Sequence, residues 1–191
     1  MRRAGFVLVG GRSSRMGCDK ALLPWNAEPL VEQVAKTVER AAGNVILIGS
    51  PERYRELRRE CLPDIHPGLG PLAGIEAALA SGRGDWNLIV ACDMPGLDAG
   101  WLSKLLETAE AGNLACIAAR DGAGILHPLC AVYRKDCLSV VERAIARNRP
   151  RAQDLLKDLE AAPFDFPAMI SNVNTPEEWI HWQHVQQPGR S

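Results

Sequence analysis

The chain has 191 residues, 47% hydrophobic and 24% charged, close to globular averages, which excludes wholesale disorder. Lysine plus arginine is 22 and aspartate plus glutamate is 23, a net charge of −1, so the bulk positive field of a non-specific nucleic-acid binder is absent. No stretch approaches the roughly 18 apolar residues of a membrane span, and the apolar run Ala4 to Val9, followed by Arg12 and Arg15, is shorter than a signal-peptide core of roughly 7–15 residues.

Short apolar runs alternate with longer helical patterns. Phe6-Val7-Leu8-Val9 lies between glycines and predicts a strand buried on both faces. A Gly/Arg/Ser loop follows from Gly10 to Lys20. Leu30, Val31, Val34, Val38 and Ala41 repeat at helical spacing, with Pro29 at the first helical position and Gly43-Asn44 as the stop. Val45 to Ile48 predicts a second strand, and Ser50-Pro51 starts a helix through about Glu60. A turn-rich loop, Leu62 to Gly70, leads into a helix carrying Leu72, Ile75, Ala78 and Leu79 on one face. Asn87 to Ala91 is a third strand, running into Cys92-Asp93-Met94-Pro95. Leu102, Leu105, Leu106 and Ala109 mark a helix, Ala115–Ala119 and Cys130–Tyr133 two strands, and Asp136–Ala146 and Ala152–Leu159 two more helices. Thr175 to Glu178 is a capping box opening a last helix, 176–187, before a frayed tail, 188–191.

Strands alternating with helices imply right-handed βαβ units, hence an α/β, three-layer fold with a mostly parallel sheet and helices on both faces. No repeat or linker divides it, so residues 1–187 are expected to form one domain. The six cysteines, Cys18, Cys61, Cys92, Cys116, Cys130 and Cys137, include no C-x-x-C pair and are expected to be reduced thiols of a cytoplasmic protein.

Ligands of such folds bind outside the carboxyl ends of the strands, and three informative segments sit there. Gly10 and Gly11 allow close backbone approach, and Arg12, Arg15 and Lys20 put three cations within nine residues of a neutral chain. The loop is suited to a polyphosphate, yet neither G-K-[ST] nor G-x-G-x-x-G is present, which excludes two familiar phosphate loops. Asp93 places one carboxylate at a strand end. Beside a triphosphate it needs an intervening cation, and Mg²⁺ takes one or two carboxylates plus phosphates. Otherwise it is a turn or helix-cap residue. Gly68 and Gly70 allow approach to a flat or extended ligand near the start of the next helix, or make a merely structural turn. His127-Pro128 is a candidate substrate contact. His181 and His184, at i, i+3 among tryptophans, read as packing or surface residues.

The loop from Leu8 to Lys20 resembles the nucleotidyltransferase signature L-x-G-G-x-S-x-R-M-G-x-D-K, and is most similar to that of the molybdenum cofactor guanylyltransferase family. Pro67 to Ile75 resembles its P-G-x-G-P-L-x-G-I segment, Cys92 to Pro95 its C-D-x-P, and His127-Pro128 and Asn172 to Glu178 its late H-P and N-x-N-T-P-E-E elements. The resemblance implies a Rossmann-like nucleotidyltransferase fold and transfer of GMP from GTP to molybdenum-carrying molybdopterin, with Mg²⁺ as cofactor and pyrophosphate as product. It implies guanine contacts from Leu8, Val9 and Gly10, phosphate contact from Lys20, nucleotide contact from Asp64, and both nucleotide and Mg²⁺ at Asp93. Arg15, with Lys20 and Asp93, falls at catalytic positions, and Asn172 and Asn174 at pterin-binding ones. Arg149 or Arg151 matches a family arginine near the pterin only loosely.

The chain departs from the pattern at Val9, where alanine is usual, at Cys18, where glycine is common, and after the second strand, where Ile48-Gly49-Ser50 offers no asparagine. Transient contact with pterin-supplying and cofactor-accepting proteins would follow from such a role. The rival readings are a cytidylyltransferase for the same pterin, a sugar-phosphate nucleotidyltransferase, and a GTP-binding module without turnover. The double glycine Gly10-Gly11 favours guanine by family likeness, and intact Arg15, Lys20 and Asp93 disfavour a silent module.

Overall fold

A computed structural model describes residues 1–9, 19–25, 28–147 and 151–167, with positions 170, 172 and 178. The expected terminal helix with His181 and His184, the tail, and Gly10, Arg12, Arg15, Cys18, Arg149 and Asn174 lie outside the described residues. Glu178 is described and is helical.

The strands are β1 (Arg3–Leu8), β2 (Pro24–Trp25), β3 (Glu28–Pro29), β4 (Ile46–Ile48), β5 (Cys61–Leu62), β6 (Trp86–Ala91), β7 (Cys116–Arg120), β8 (Leu126–Arg134) and β9 (Ala162–Asp165). The α-helices are α1 (Leu30–Ala42), α2 (Pro51–Tyr54), α3 (Pro71–Ala80), α4 (Ala99–Ala111), α5 (Leu138–Ala146) and α6 (Ala152–Asp158). Seven strands form one sheet in the order β5-β4-β1-β6-β8-β7-β9, while β2 and β3 pair separately. Within the large sheet β8 runs antiparallel to both β6 and β7, and the other pairings are parallel.

Alternation along β1 builds the three layers. Val7 turns to one face, where Leu47, Leu88 and Val90 meet Val31 and Val34 of α1 and Leu102 and Leu105 of α4. Phe6 turns to the other, where Ile46, Ile48 and Ile89 meet Ile75 and Leu79 of α3, Val141 of α5 and Leu155 of α6. Both faces are covered, which is why the central strands read as unbroken apolar runs.

Local chemistry sets the helix ends. Pro29 stands just before α1, one residue earlier than the sequence suggests, and Gly43 at φ +83° closes it by donating its N–H to Glu39 O. Asp98, rather than Asp93, caps α4: its Oδ1 accepts the Trp101 N–H at 2.9 Å. The helix expected from Ser50 to about Glu60 is shorter. It gives way to a 3-10 turn over Arg55–Leu57 that ends at Arg58 with φ +54°, because only Tyr54 is buried and the rest of the segment has little to pack on. The strand expected at Cys130–Tyr133 begins four residues earlier, at Leu126, and its register against β7 shifts between Ala118 and Ala119. That irregularity accommodates Pro128 inside a strand.

Gly5 is needed for a close approach. A Cβ there would stand 2.5 Å from Val38 Cγ1 on α1 and 2.6 Å from the Asn44 backbone oxygen. The backbone contact cannot move aside as a side chain would. Gly5→Ala should therefore cost about 1–3 kcal/mol by overpacking, read as a lower denaturant midpoint at unchanged slope.

Candidate functional site

The site grows from the carboxyl ends of β1, β4 and β6, which finish in register: Leu8 lies opposite Ile48 on one side and Ala91 on the other. Just beyond, Val9 N–H donates to Ile48 O at 2.9 Å and Cys92 N–H donates to Leu8 O at 3.1 Å. Gly49 permits this closeness, since a Cβ there would sit 2.5 Å from Val9 O. A cavity of about 690 Å³ opens over these strand ends. Leu8, Val9, Ile48 and Ala91 line it, with Leu129 from β8, and Asp64, Gly68, Gly70, Pro71 and Gly74 from the loop and first turns leading into α3. Lys20, Cys92 and Asp93 complete the lining.

The glycine loop has a backbone reason. Gly70 precedes α3 with φ +67° and ψ −149°, a conformation essentially reserved for glycine. Pro71 then starts the helix without needing a donor. Gly74 lets α3 approach β1: a Cβ there would stand 2.6 Å from Leu8 Cδ2. The helix N-terminus thus borders the cavity, an arrangement that favours anions.

Lys20 and Asp93, 73 residues apart in the chain, meet here. Lys20 Nζ donates to Asp93 Oδ2 at 2.6 Å, and their side chains are 18% and 14% exposed. Asp93 Oδ1 is buried and has no hydrogen-bond partner among the described residues. A half-satisfied, nearly buried carboxylate is costly, and among the described residues nothing supplies the partner that this oxygen needs. Asp93 is neither a helix cap nor core; it follows β6 in a turn and faces the cavity.

Asp64 also lines the cavity, and partial burial raises its carboxyl above the usual range. Burial, with the charge of Asp64 adding to it, pushes the Cys61 thiol up to about 11, so this cysteine is no nucleophile at neutral pH. His127 is committed elsewhere. Its Nε2 lies 2.8 Å from Asp121 Oδ2, and the same carboxylate accepts the Ala123 and Ile125 N–H groups at 3.0 Å. The hydrogen bond with His127 is the main cause holding Asp121 below the usual carboxylate range. His127 is not among the cavity-lining residues, and its pairing with Asp121 shapes the β7–β8 turn. Asn172 and Arg151 are exposed.

The site brings together five of the residues expected from sequence: Leu8, Val9, Lys20, Asp64 and Asp93. Two further side chains were given no role of their own in the sequence reading. Asp19 caps the turn that Lys20 opens, and its sequence signals were a short polar residue before a turn, the pattern of a cap, and its place as the aspartate of the signature that the loop resembles. Glu76, buried on α3, lies 2.7 Å from Nδ1 of His66 in the glycine loop. No sequence signal links that pair.

Among the described residues no three His, Cys, Asp or Glu side chains form a metal cluster, and no helix is long and apolar enough to cross a membrane. Cys61, Cys116, Cys130 and Cys137 are free thiols.

Residues 5–162 match the MobA-like NTP transferase domain. The chain is 35% identical over 189 residues to a molybdenum cofactor guanylyltransferase of Xanthomonas euvesicatoria, covering 94% of each. It is 31% identical over 182 residues to a probable molybdenum cofactor guanylyltransferase of Carboxydothermus hydrogenoformans, covering 91% of each. In fold it is similar to the crystal structure of molybdopterin-guanine dinucleotide biosynthesis protein A from Archaeoglobus fulgidus, with a TM-score of 0.81 and 23% identity over 96% of this chain and 98% of that one. A matched domain over most of the chain, relatives along nearly its whole length and the expected mostly parallel sheet agree: the chain belongs to the MobA-like NTP transferase family and is a nucleotidyltransferase.

Proposed function

We propose that this enzyme transfers GMP from GTP to molybdenum-carrying molybdopterin, giving the guanine dinucleotide form of the cofactor and pyrophosphate. The observation that carries the reading is the Lys20–Asp93 pair, with its unpartnered Asp93 Oδ1, in the same cavity as the apolar strand ends Leu8 and Val9. The cavity of about 690 Å³ falls within the range of small-ligand sites. Apolar surface suits a base, and a cation beside a needy carboxylate suits phosphates with a divalent ion. The relatives' names supply the guanylyl group and the molybdenum cofactor, and the name of the similar Archaeoglobus protein the molybdopterin.

The residues fit Mg²⁺. A single hard carboxylate oxygen, buried and unpaired, is what that ion accepts when phosphates and waters fill its other positions. Asp93 would hold it. When bound, Mg²⁺ supplies charge neutralisation to the triphosphate.

Chemically, a pterin phosphate oxygen forms a bond to the α-phosphorus of GTP. The bond from that phosphorus to the bridging oxygen breaks, and its electron pair leaves with pyrophosphate. The nucleophile is already an anion, so no general base is required. The work of the chain is to bring two anions together and to neutralise the leaving charge. The Lys20 ammonium does the second as a point charge, helped by Arg15 in the same loop. Asp64 lies on the nucleotide, and Asn172 and Asn174 on the pterin. Leu8 and Val9 pack against the base. Val9 N–H is committed to Ile48 O, so it is not free to read the guanine edge, and the resemblance assigns the third guanine contact to Gly10. The free thiols support a reducing, cytoplasmic setting.

Nucleotide choice tests the reading. Calorimetry with Mg²⁺ should show GTP binding at least tenfold more tightly than CTP or ATP. Equal affinity for GTP and CTP would remove the guanylyl assignment and leave the cytidylyl rival standing. GTP binding without pyrophosphate release in the presence of the metal-loaded pterin would mark a silent binding module.

A further inference from the structure

We propose that Asp19 is the positioning residue for Lys20, locked from behind by Tyr54 and Arg53, and that it sets how strongly the site holds phosphate. The inference rests on the phosphate-binding role given to Lys20 above.

Lys20 opens a single 3-10 turn, Lys20–Leu22. Three residues in such a turn do not hold their own shape, so the aim of Lys20 must come from its neighbours. Asp19 supplies it through both carboxylate oxygens. Oδ1 accepts the Ala21 N–H at 3.1 Å and so caps the turn. Oδ2 accepts the Tyr54 hydroxyl at 2.9 Å and pairs with Arg53 Nε at 2.7 Å. The Asp19 side chain is only 8% exposed, and Ala21 is fully buried beyond it.

Tyr54 makes this a link rather than a local cap. It ends α2, directly after the strand whose Ile48 lines the cavity. Its ring lies close to Gly49, where a Cβ would meet Cε2 at 3.3 Å. Burial first, then the hydrogen bond to Asp19, push its hydroxyl well above its usual pKa, so it stays a donor across the working range. The end of β4 is thereby tied to the residue that aims the phosphate-side lysine. Asp19 is adjacent to Lys20 in sequence yet is not among the cavity-lining residues. A carboxylate aimed at a triphosphate would repel it, whereas one turned outward can anchor without that cost.

A purely structural Asp19 and a positioning Asp19 differ in which part of the nucleotide they affect. The test is the ratio of Mg·GTP affinity to guanosine affinity, measured by displacement of a fluorescent nucleotide from the full-length protein, with melting temperatures alongside. For Asp19→Ala the ratio should fall at least tenfold while guanosine affinity stays within twofold of wild type. Asp19→Asn keeps the shape and one acceptor but sets amide hydrogens against other donors; its ratio should fall about fivefold. It decides the matter if the alanine variant does not fold. Tyr54→Phe, which removes one of the two donors to Oδ2, should fall between Asp19→Asn and wild type. An unchanged ratio in folded Asp19→Asn, or parallel losses for GTP and guanosine, would overturn the proposal. If the wild-type protein prefers CTP, the guanylyl reading fails, and the same ratio taken with CTP and cytidine still decides the role of Asp19.

Discussion

Lys20→Ala should lower kcat/KM for GTP by about two to three orders of magnitude, the loss typical of removing one preorganised charge from a developing anion. Two effects add. The ammonium that neutralises the phosphates is gone, and Asp93 loses the cation held at 2.6 Å, so more of its charge opposes the incoming triphosphate. Breaking a nearly buried pair also costs stability, but this pair sits on an open cavity where water can enter, and a modest fall in melting temperature is expected. Steady-state pyrophosphate release across a GTP series measures it. A rate within threefold of wild type would mean that Lys20 neutralises Asp93 and nothing else.

Asp93→Asn should leave the fold intact and cut turnover by a similar factor. Folding survives because the cap of α4 is Asp98, not Asp93, and because the residue borders a cavity rather than the core. The sharper outcome concerns the metal. Without the carboxylate, half-saturation by Mg²⁺ should move to much higher concentration. Affinity for GTP in the absence of divalent ions should hold or rise, since a charge opposing the triphosphate has been removed. Magnesium titrations of turnover and metal-free binding of GTP separate the two. An unaltered magnesium response together with a lower melting temperature would make Asp93 a structural turn residue.

Much of this site was legible in the sequence because its parts are local signals. Phe6 to Val9, Val45 to Ile48 and Asn87 to Ala91 read as buried strands since both faces of the sheet are covered. Residues just past such strands stand on the ligand-binding edge whatever the details of packing. The illegible parts are those where chain neighbours say little. β5 has two residues, Cys61 and Leu62, too few for any period. β9 reads Ala162-Pro163-Phe164-Asp165 and alternates half-buried with exposed; a proline in an edge strand is tolerated but looks like a loop. β8 is interrupted by Pro128 at its irregularity, which hid its first four residues. Pairings across long separations had no sequence signal at all. Nothing in the spelling joins His66 to Glu76 or Tyr54 to Asp19, and for Lys20 and Asp93 the strand-end rule and the resemblance imply a shared site but not the direct ion pair; each contact is a product of topology.

The strand order has a consequence in time. β1 is flanked by β4 and β6, with Arg3 opposite Trp86 and Leu8 opposite Ala91. On a ribosome adding about 5–20 residues per second, roughly 4–17 seconds pass between the synthesis of these two strands. Throughout that interval the nascent β1 has at most one neighbour. Its other edge shows unpaired N–H and C=O groups beside bare apolar side chains, the surface that invites aggregation or a chaperone. The segment that closes the edge is the one that carries Asp93 at its end. Relief of the nascent chain's main hazard and delivery of the cavity-lining carboxylate are therefore a single step in biosynthesis.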